Sequence, residues 1–247
     1  IVHCHDWTAG FVPFYLKKQG IKAKTVFTIH NLAYQGDFSR YDAILTGDEF
    51  DDKVMYGRGE AKRVNMLKAG VDTATKITTV SPTYSKEIQT PELGCGLDWL
   101  LKQREEDLVG IINGIDYKEW NPEKDTNFKE HFSAEKLSGK AKLKARIQKE
   151  NGLEVNPDIP LFAMISRLAE QKGFTELVLT SSPSALEKIL QNNKVQFIIV
   201  GTGDERYTRK LKEIESTCSN LKVLIAFSNK LAHELEGAAD FFLMPSR

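Results

Sequence analysis

Arg167 and Lys172 lie five positions apart in Ser-Arg-Leu-Ala-Glu-Gln-Lys-Gly, directly after the apolar run Leu161-Phe-Ala-Met-Ile. The run reads as a buried strand, so the two cations occupy the turn leading from it into a helix. In a parallel α/β sheet such turns face the ligand, and the N-terminus of the next helix adds its own positive field. Two cations there suit a diphosphate; the plain alternative is a solvated loop holding two bases. Three further loops follow predicted strands: His5-Asp6-Trp7, His30-Asn31-Leu-Ala-Tyr34-Gln35-Gly36 and Gly201-Thr-Gly203-Asp204. Glycine lets backbone amides approach a ligand, while Asp, His and Asn direct hydrogen bonds at hydroxyl groups. Together they describe a pocket for a polyol joined to phosphate. Each has a blander reading. Gly-x-Gly after a strand also serves as a tight turn before a helix. Of His3 and His5, which flank Cys4, one reads as a satisfied core imidazole, and no partner cluster makes them a metal pair. Trp7 reads as packing.

These loops need strands to hold them. Residues 1–5, 24–30, 76–81 and 109–113 form short β-branched runs, with helical stretches at 10–19 and 82–89 between them. Pro13 is tolerable in the first turn of the first helix, Gly20 suits its C-terminus, and Ser81-Pro82 is a cap followed by proline at the first helical position. A helix over 138–151 is closed by Gly152. Strands at 161–166, 195–201, 222–227 and 241–245 then alternate with helices at 174–190, 205–217 and 230–237. Strand–helix–strand spacing predicts right-handed crossovers and a doubly wound, mostly parallel sheet. Two such halves joined through the turn-rich stretch 113–122 predict two Rossmann-like domains, 1–115 and 116–247, facing across a cleft. Residues 37–64, rich in charge, read as an irregular excursion.

Composition narrows the classes of function. The 247 residues include 34 Lys+Arg and 34 Asp+Glu, so no overall charge favours nucleic acid or an acidic membrane. No apolar stretch reaches the roughly 20 residues needed to span a bilayer. Cys4, Cys95 and Cys218 are too widely spaced for a zinc site and odd in number, so reduced thiols are expected. Both ends fall inside strand-like segments, and the chain reads as an interior portion of a longer protein.

Taken as an ordered set, these segments resemble the bacterial glycogen synthases and plant starch synthases. The resemblance rests on His5-Asp6-Trp7, Thr28 to Gly36, Asn65-Met-Leu-Lys68-Ala-Gly70, Val80-Ser-Pro-Thr-Tyr84, Asn113-Gly-Ile-Asp116 with Trp120-Asn-Pro, Ser166-Arg-Leu with Gln171-Lys-Gly, Gly201 to Asp204, and Leu243-Met-Pro-Ser-Arg247. It implies a retaining glucosyltransferase of GT-B architecture, moving glucose from ADP-glucose to the non-reducing end of an α-1,4-glucan. In this pattern Arg167 and Lys172 hold the donor diphosphate, and His30 orients the donor glucose. Asp6, Asn31, Tyr34, Gln35 and Asn113 are substrate-side residues; Gly201, Gly203 and Asp204 form the nucleotide-side loop, and Phe227 meets the adenine. No metal or other cofactor is expected, because Arg167 and Lys172 would neutralise the charge that builds on the leaving ADP; nor is a carboxylate pair, because the leaving phosphate can itself accept the acceptor's proton. The implied location is bacterial cytoplasm, or plastid stroma in a plant; oligomeric state stays open. The sequence departs from the family at Thr8, at Ala226 and across 37–64. The family's glycine-rich phosphate loop and its Glu-Pro-Cys-Gly-Leu loop are absent from these residues, so the piece alone is expected to be inactive. Two alternatives stand beside this: another GT-B enzyme using a UDP- or GDP-sugar, or a nucleotide- or glucan-binding piece without turnover.

Overall fold

Short runs rich in Val, Ile and Thr become parallel strands in both halves of the chain, because helices between them bury their apolar faces. The computed structural model describes residues 1–43, 55–56 and 63–246. It divides into two units, Ile1–Gly114 and Ile115–Arg247.

The first unit contains β1 (Val2–His5), α1 (Phe11–Lys18), β2 (Thr25–Ile29), β3 (Asp37–Ser39), α2 (Arg40–Ala43), β4 (Met55–Tyr56), β5 (Arg63–Asn65), α3 (Met66–Thr73), β6 (Lys76–Thr79), α4 (Pro82–Glu87), α5 (Asp98–Gln103) and β7 (Leu108–Gly110). The parallel sheet runs β1-β2-β6-β7. In register, Cys4, Phe27, Ile77 and Leu108 lie side by side. They pack on Leu67 and Val71 of α3 and Leu100 and Leu101 of α5. Gly70 makes this possible: a Cβ there would meet the Phe27 ring at 2.5 Å. The strand period of two then puts His3 and His5 on the opposite, exposed side. Neither is a core imidazole; the buried residue of the three is Cys4, whose thiol is pushed up by burial. Pro13 lies in the first turn of α1, Gly20 follows it at φ 69°, and Ser81 caps α4 by accepting from Thr83 N and Tyr84 N. Part of 37–64 is regular: β3, β5 and β4 pair antiparallel. Residues 44–54 and 57–62 of that expected excursion lie outside the described residues.

The second unit contains α6 (Ser138–Glu150), β8 (Leu161–Ile165), α7 (Ala185–Asn192), β9 (Gln196–Val200), α8 (Glu205–Thr217), β10 (Leu221–Leu224), α9 (Asn229–Ala238) and β11 (Phe241–Phe242). Its sheet runs β10-β9-β8-β11, all parallel. Chain order therefore reverses at β8, where one neighbour is reached early and the other late. Both faces are covered, as in a doubly wound sheet. Phe197 and Ile199 pack with Leu186 of α7 and Leu211 of α8. Ile198 and Val200 pack with Leu143 of α6 and Leu235 of α9. The helix expected over 174–190 is broken. A π-helical turn, Thr175–Leu179, is followed by Ser181, Ser182 and Pro183, and α7 starts afresh with a Ser184–Glu187 capping box. Proline disfavours helical geometry at the residue before it, and Ser184 supplies a new cap.

Candidate functional site

The carboxyl end of β8 is the topological switch point of the second sheet, the place where open α/β sheets bind ligands. Residues 166–168 leave the strand there, with Arg167 exposed and Leu168 buried. The turn is seated on the neighbouring loop. Leu168 N donates to Thr202 O at 2.9 Å, Asp204 N donates to Leu168 O at 2.9 Å, and Leu168 bridges to Gly203. Gly201 and Gly203 are needed for that contact. A Cβ on Gly201 would lie 1.9 Å from Ser166 O, and one on Gly203 2.3 Å from Leu168 O. The Gly-x-Gly therefore brings two loops together, and the turn that it seats carries Arg167.

A cavity of about 250 Å³ opens at the ends of β8, β9 and β10. Arg167, Gly201 and Phe227 line it together with Thr202, Ser228 and Asn229. Phe227 is 96% exposed, a bare ring beside the opening. Ser228 caps α9 by accepting from Leu231 N, so the positive end of that helix also meets the cavity. The sequence reading missed Ser228 and Asn229, although a serine three residues before Leu231 at a helix start was a legible cap signal. Lys172 stands in a 3-10 turn, Glu170–Lys172, closed by Gly173 at φ 79°. A Cβ on Gly173 would meet Pro245 O at 2.2 Å, so Pro245 packs directly against the lysine's turn. Arg167 and Lys172 have no ion-pair partner among the described residues. Asp204 does: it caps α8 and binds Arg206 at 2.7 Å, and that hydrogen bond holds its carboxyl below the ordinary value. Lys172, Gly203 and Asp204 lie outside the cavity's lining. A larger cavity of about 380 Å³ lies elsewhere in the unit, beside the buried His233–Asp125 pair, and gathers none of the expected residues.

In the first unit the ends of β1 and β2 adjoin. Asp6 adopts φ 54°, ψ −175°, a strained backbone for a non-glycine residue and one that clusters at functional sites. Its Oδ1 accepts from His30 N at 2.8 Å and Asn31 N at 3.5 Å. His5 Nδ1 lies 2.9 Å from His30 Nε2. Asn31 Oδ1 accepts from Ala33 N, so its carbonyl shapes the turn. Gln35 is held at both ends of its amide, accepting from Asn65 Nδ2 at 2.6 Å and donating to Cys95 O at 2.9 Å. Its side chain is a brace of the loop. Tyr34, by contrast, is half exposed at the loop's tip. Gly36, at φ 61°, lies against Trp7, where a Cβ would meet the indole at 2.4 Å; Trp7 packs, as its sequence context suggested. Tyr84 pins the same loop by accepting from Leu32 N at 3.2 Å. Asn113 is exposed beyond β7 and joins neither cluster. Among the described residues, no three His, Cys, Asp or Glu side chains are placed to share a metal ion, and no helix is long and apolar enough to cross a membrane.

The chain as a whole is similar to known proteins. Residues 1–103 match the family model of the starch synthase catalytic domain. The chain is 44% identical over 257 residues to the glycogen synthase of Anaeromyxobacter sp. (strain Fw109-5), covering 100% of this chain and 52% of that protein. To the glycogen synthase of Treponema denticola it is 39% identical over 252 residues, again with 100% of this chain and 51% of the relative. Among solved structures, the catalytic domain of starch synthase IV from Arabidopsis thaliana, bound to ADP and acarbose, superposes with a TM-score of 0.85 at 32% identity, over 99% of this chain and 51% of that one. The chain spans about half the length of the relatives it matches.

Proposed function

Because the chain is similar along its whole length to bacterial glycogen synthases and a plant starch synthase, we propose that it carries part of the machinery of a retaining glucosyltransferase that moves glucose from ADP-glucose to the non-reducing end of an α-1,4-glucan. The observation that supports this most is Arg167: an exposed guanidinium with no ion-pair partner among the described residues, at the switch point of a parallel sheet and beside a bare aromatic ring. A diphosphate supplies the missing negative charge, and a purine suits Phe227.

In this reading Arg167 and Lys172 grip the diphosphate and stabilise the charge that grows on ADP as the glycosidic bond breaks. The α9 N-terminus adds to the field. The acceptor hydroxyl attacks from the face the diphosphate leaves, and the leaving phosphate takes its proton, so the configuration at the anomeric carbon is retained. No carboxylate pair and no metal is invoked. The first unit contributes His30, with Asp6 fixing its backbone, and Tyr34 to the sugars; Asn31 and Gln35 act through the shape of the loop. We assign Gly201, Gly203 and Asp204 to the seating of the Arg167 turn, and Asn113 to the substrate side. The compartment proposed is the bacterial cytoplasm, or the plastid stroma for a plant protein.

Calorimetry on this chain tests the assignment. ADP and ADP-glucose are expected to bind in preference to UDP-glucose. Arg167→Ala and Lys172→Ala each remove charge-assisted hydrogen bonds of about 1.5–3 kcal/mol, weakening ADP roughly tenfold to a hundredfold. Unchanged affinity in both variants rejects the site, and tighter binding of UDP-glucose reassigns the donor.

A further inference from the structure

The end of β1 holds His30 twice. Asp6 takes its backbone N–H, and His5, one residue earlier, takes its ring. The two imidazoles are 5.2 Å apart by centroid and tilted by 27°, with His5 Nδ1 and His30 Nε2 at 2.9 Å. Such an N···N bond contains one proton, so one ring donates and the other accepts. If His30 donates, both neutral rings are Nε2–H, the tautomer free histidine favours in water. If His5 donates, both must take the less favoured Nδ1–H form. We propose that His5 is a positioning residue that accepts the Nε2 proton of His30 and thereby presents His30 Nδ1 as a bare acceptor.

The surroundings keep His5 able to accept. The His3 ring lies against it, centroids 4.2 Å apart and planes tilted by 32°, while His3 Nε2 is engaged with Thr28 Oγ1 at 2.7 Å. Burial, then the neighbouring His3 and His30, push the His5 imidazole below its ordinary value, against the opposing pull of Asp6. At neutral pH His5 is therefore neutral and has one ring lone pair, which its Nε2–H tautomer places on Nδ1. A second-residue contact of this kind fixes both the tautomer and the plane of the ring it touches. The chemical consequence is directional: a hydroxyl meeting His30 donates its proton to Nδ1 rather than accepting one. That this hydroxyl belongs to a sugar rests on the proposed function; the tautomer does not.

The test is long-range 1H–15N spectroscopy of the imidazoles in this chain at neutral pH, with His30 assigned by its loss in His30→Gln. In the wild type His30 is expected to show a pyridine-type Nδ1 and a pyrrole-type Nε2. His5→Leu should shift His30 Nδ1 toward the averaged position of a free ring. His5→Asn, whose Oδ1 can accept where Nδ1 did, should restore the wild-type pattern, a rescue that simple packing would not produce. A protonated Nδ1 on His30 in the wild type overturns the proposal, as does a His30 pattern unmoved by His5→Leu. Should His5→Leu not fold, the wild-type spectrum decides the tautomer by itself. ADP-glucose calorimetry on the same samples separates the two readings: absent binding with the expected tautomer counts against the donor assignment alone.

Discussion

Gly201→Ala tests whether the glycine loop acts by seating Arg167. The new Cβ would lie 1.9 Å from Ser166 O, and real Cβ contacts stay at 3.0 Å or beyond, so the two loops must separate by about 1.1 Å, the difference between those values. Neither side yields easily, because Ser166 N is bonded to Val200 O and Leu168 N to Thr202 O. Overpacking of this kind costs about 1–3 kcal/mol, to be read as earlier urea unfolding of the second unit. Ser166 directly precedes Arg167, so the displacement is passed to the guanidinium. Losing its charge-assisted hydrogen bonds weakens ADP by roughly tenfold to a hundredfold in calorimetry. The decisive comparison is Gly201→Ala made on the Arg167→Ala background, where no further loss of ADP affinity is expected. Losses that simply add would show that Gly201 acts on the ligand by some route other than Arg167, and the reasoning fails.

In the first unit, Tyr84→Phe leaves the Leu32 N–H unpaired in a fully buried residue, a cost of about 1–3 kcal/mol. Amide exchange at Leu32 should speed up roughly tenfold to a hundredfold, and an unchanged rate would remove Tyr84 as the loop's pin. Glu236 carries the opposite kind of signal: the residue is exposed, yet its carboxyl borders the cavity beside His233, and the hydration lost there raises it above the ordinary 4.5, partly countered by His233. A raised carboxyl stabilises the fold below its unfolded value and loses that contribution as pH rises through the folded one. Glu236→Gln should therefore unfold slightly later than wild type at neutral pH, the gain being reduced by the residue's exposure, with the advantage gone below pH 4.5; an advantage that persists in acid contradicts the desolvation argument.

Much of the architecture was legible from local signals. Ser81-Pro82, Pro13 in the first turn of α1, and Gly20 at a positive φ are short-range features, and each sits where its chemistry requires. The alternation of β-branched runs with amphipathic stretches likewise marked the strands of both sheets. Other readings failed where two signals competed. The apolar pattern of 174–190 was strong enough to suggest one helix, yet Pro183 and the capping serine at 184 divided it. His3 and His5 have a chemistry that fits a core or a site equally well, and only the pairing of Cys4 with Phe27 decided which face they occupy. For Gln35 no local signal announced its partners: Asn65 and the Cys95 carbonyl, both distant in sequence, each engage one end of its amide.

What the sequence determined alone was the alternation of strand and helix, the caps that begin and end the helices, and the set of residues able to bind phosphate and hydroxyl groups. These depend on interactions within a few residues. The tertiary structure decided which of those groups are available: it placed Arg167 at the point where strand order reverses, turned the glycines of 201 and 203 into the contact that seats it, and brought His5 against His30. Each of those outcomes needs two segments more than twenty residues apart to meet at a defined register, and register is a property of the packed sheet, not of either segment alone.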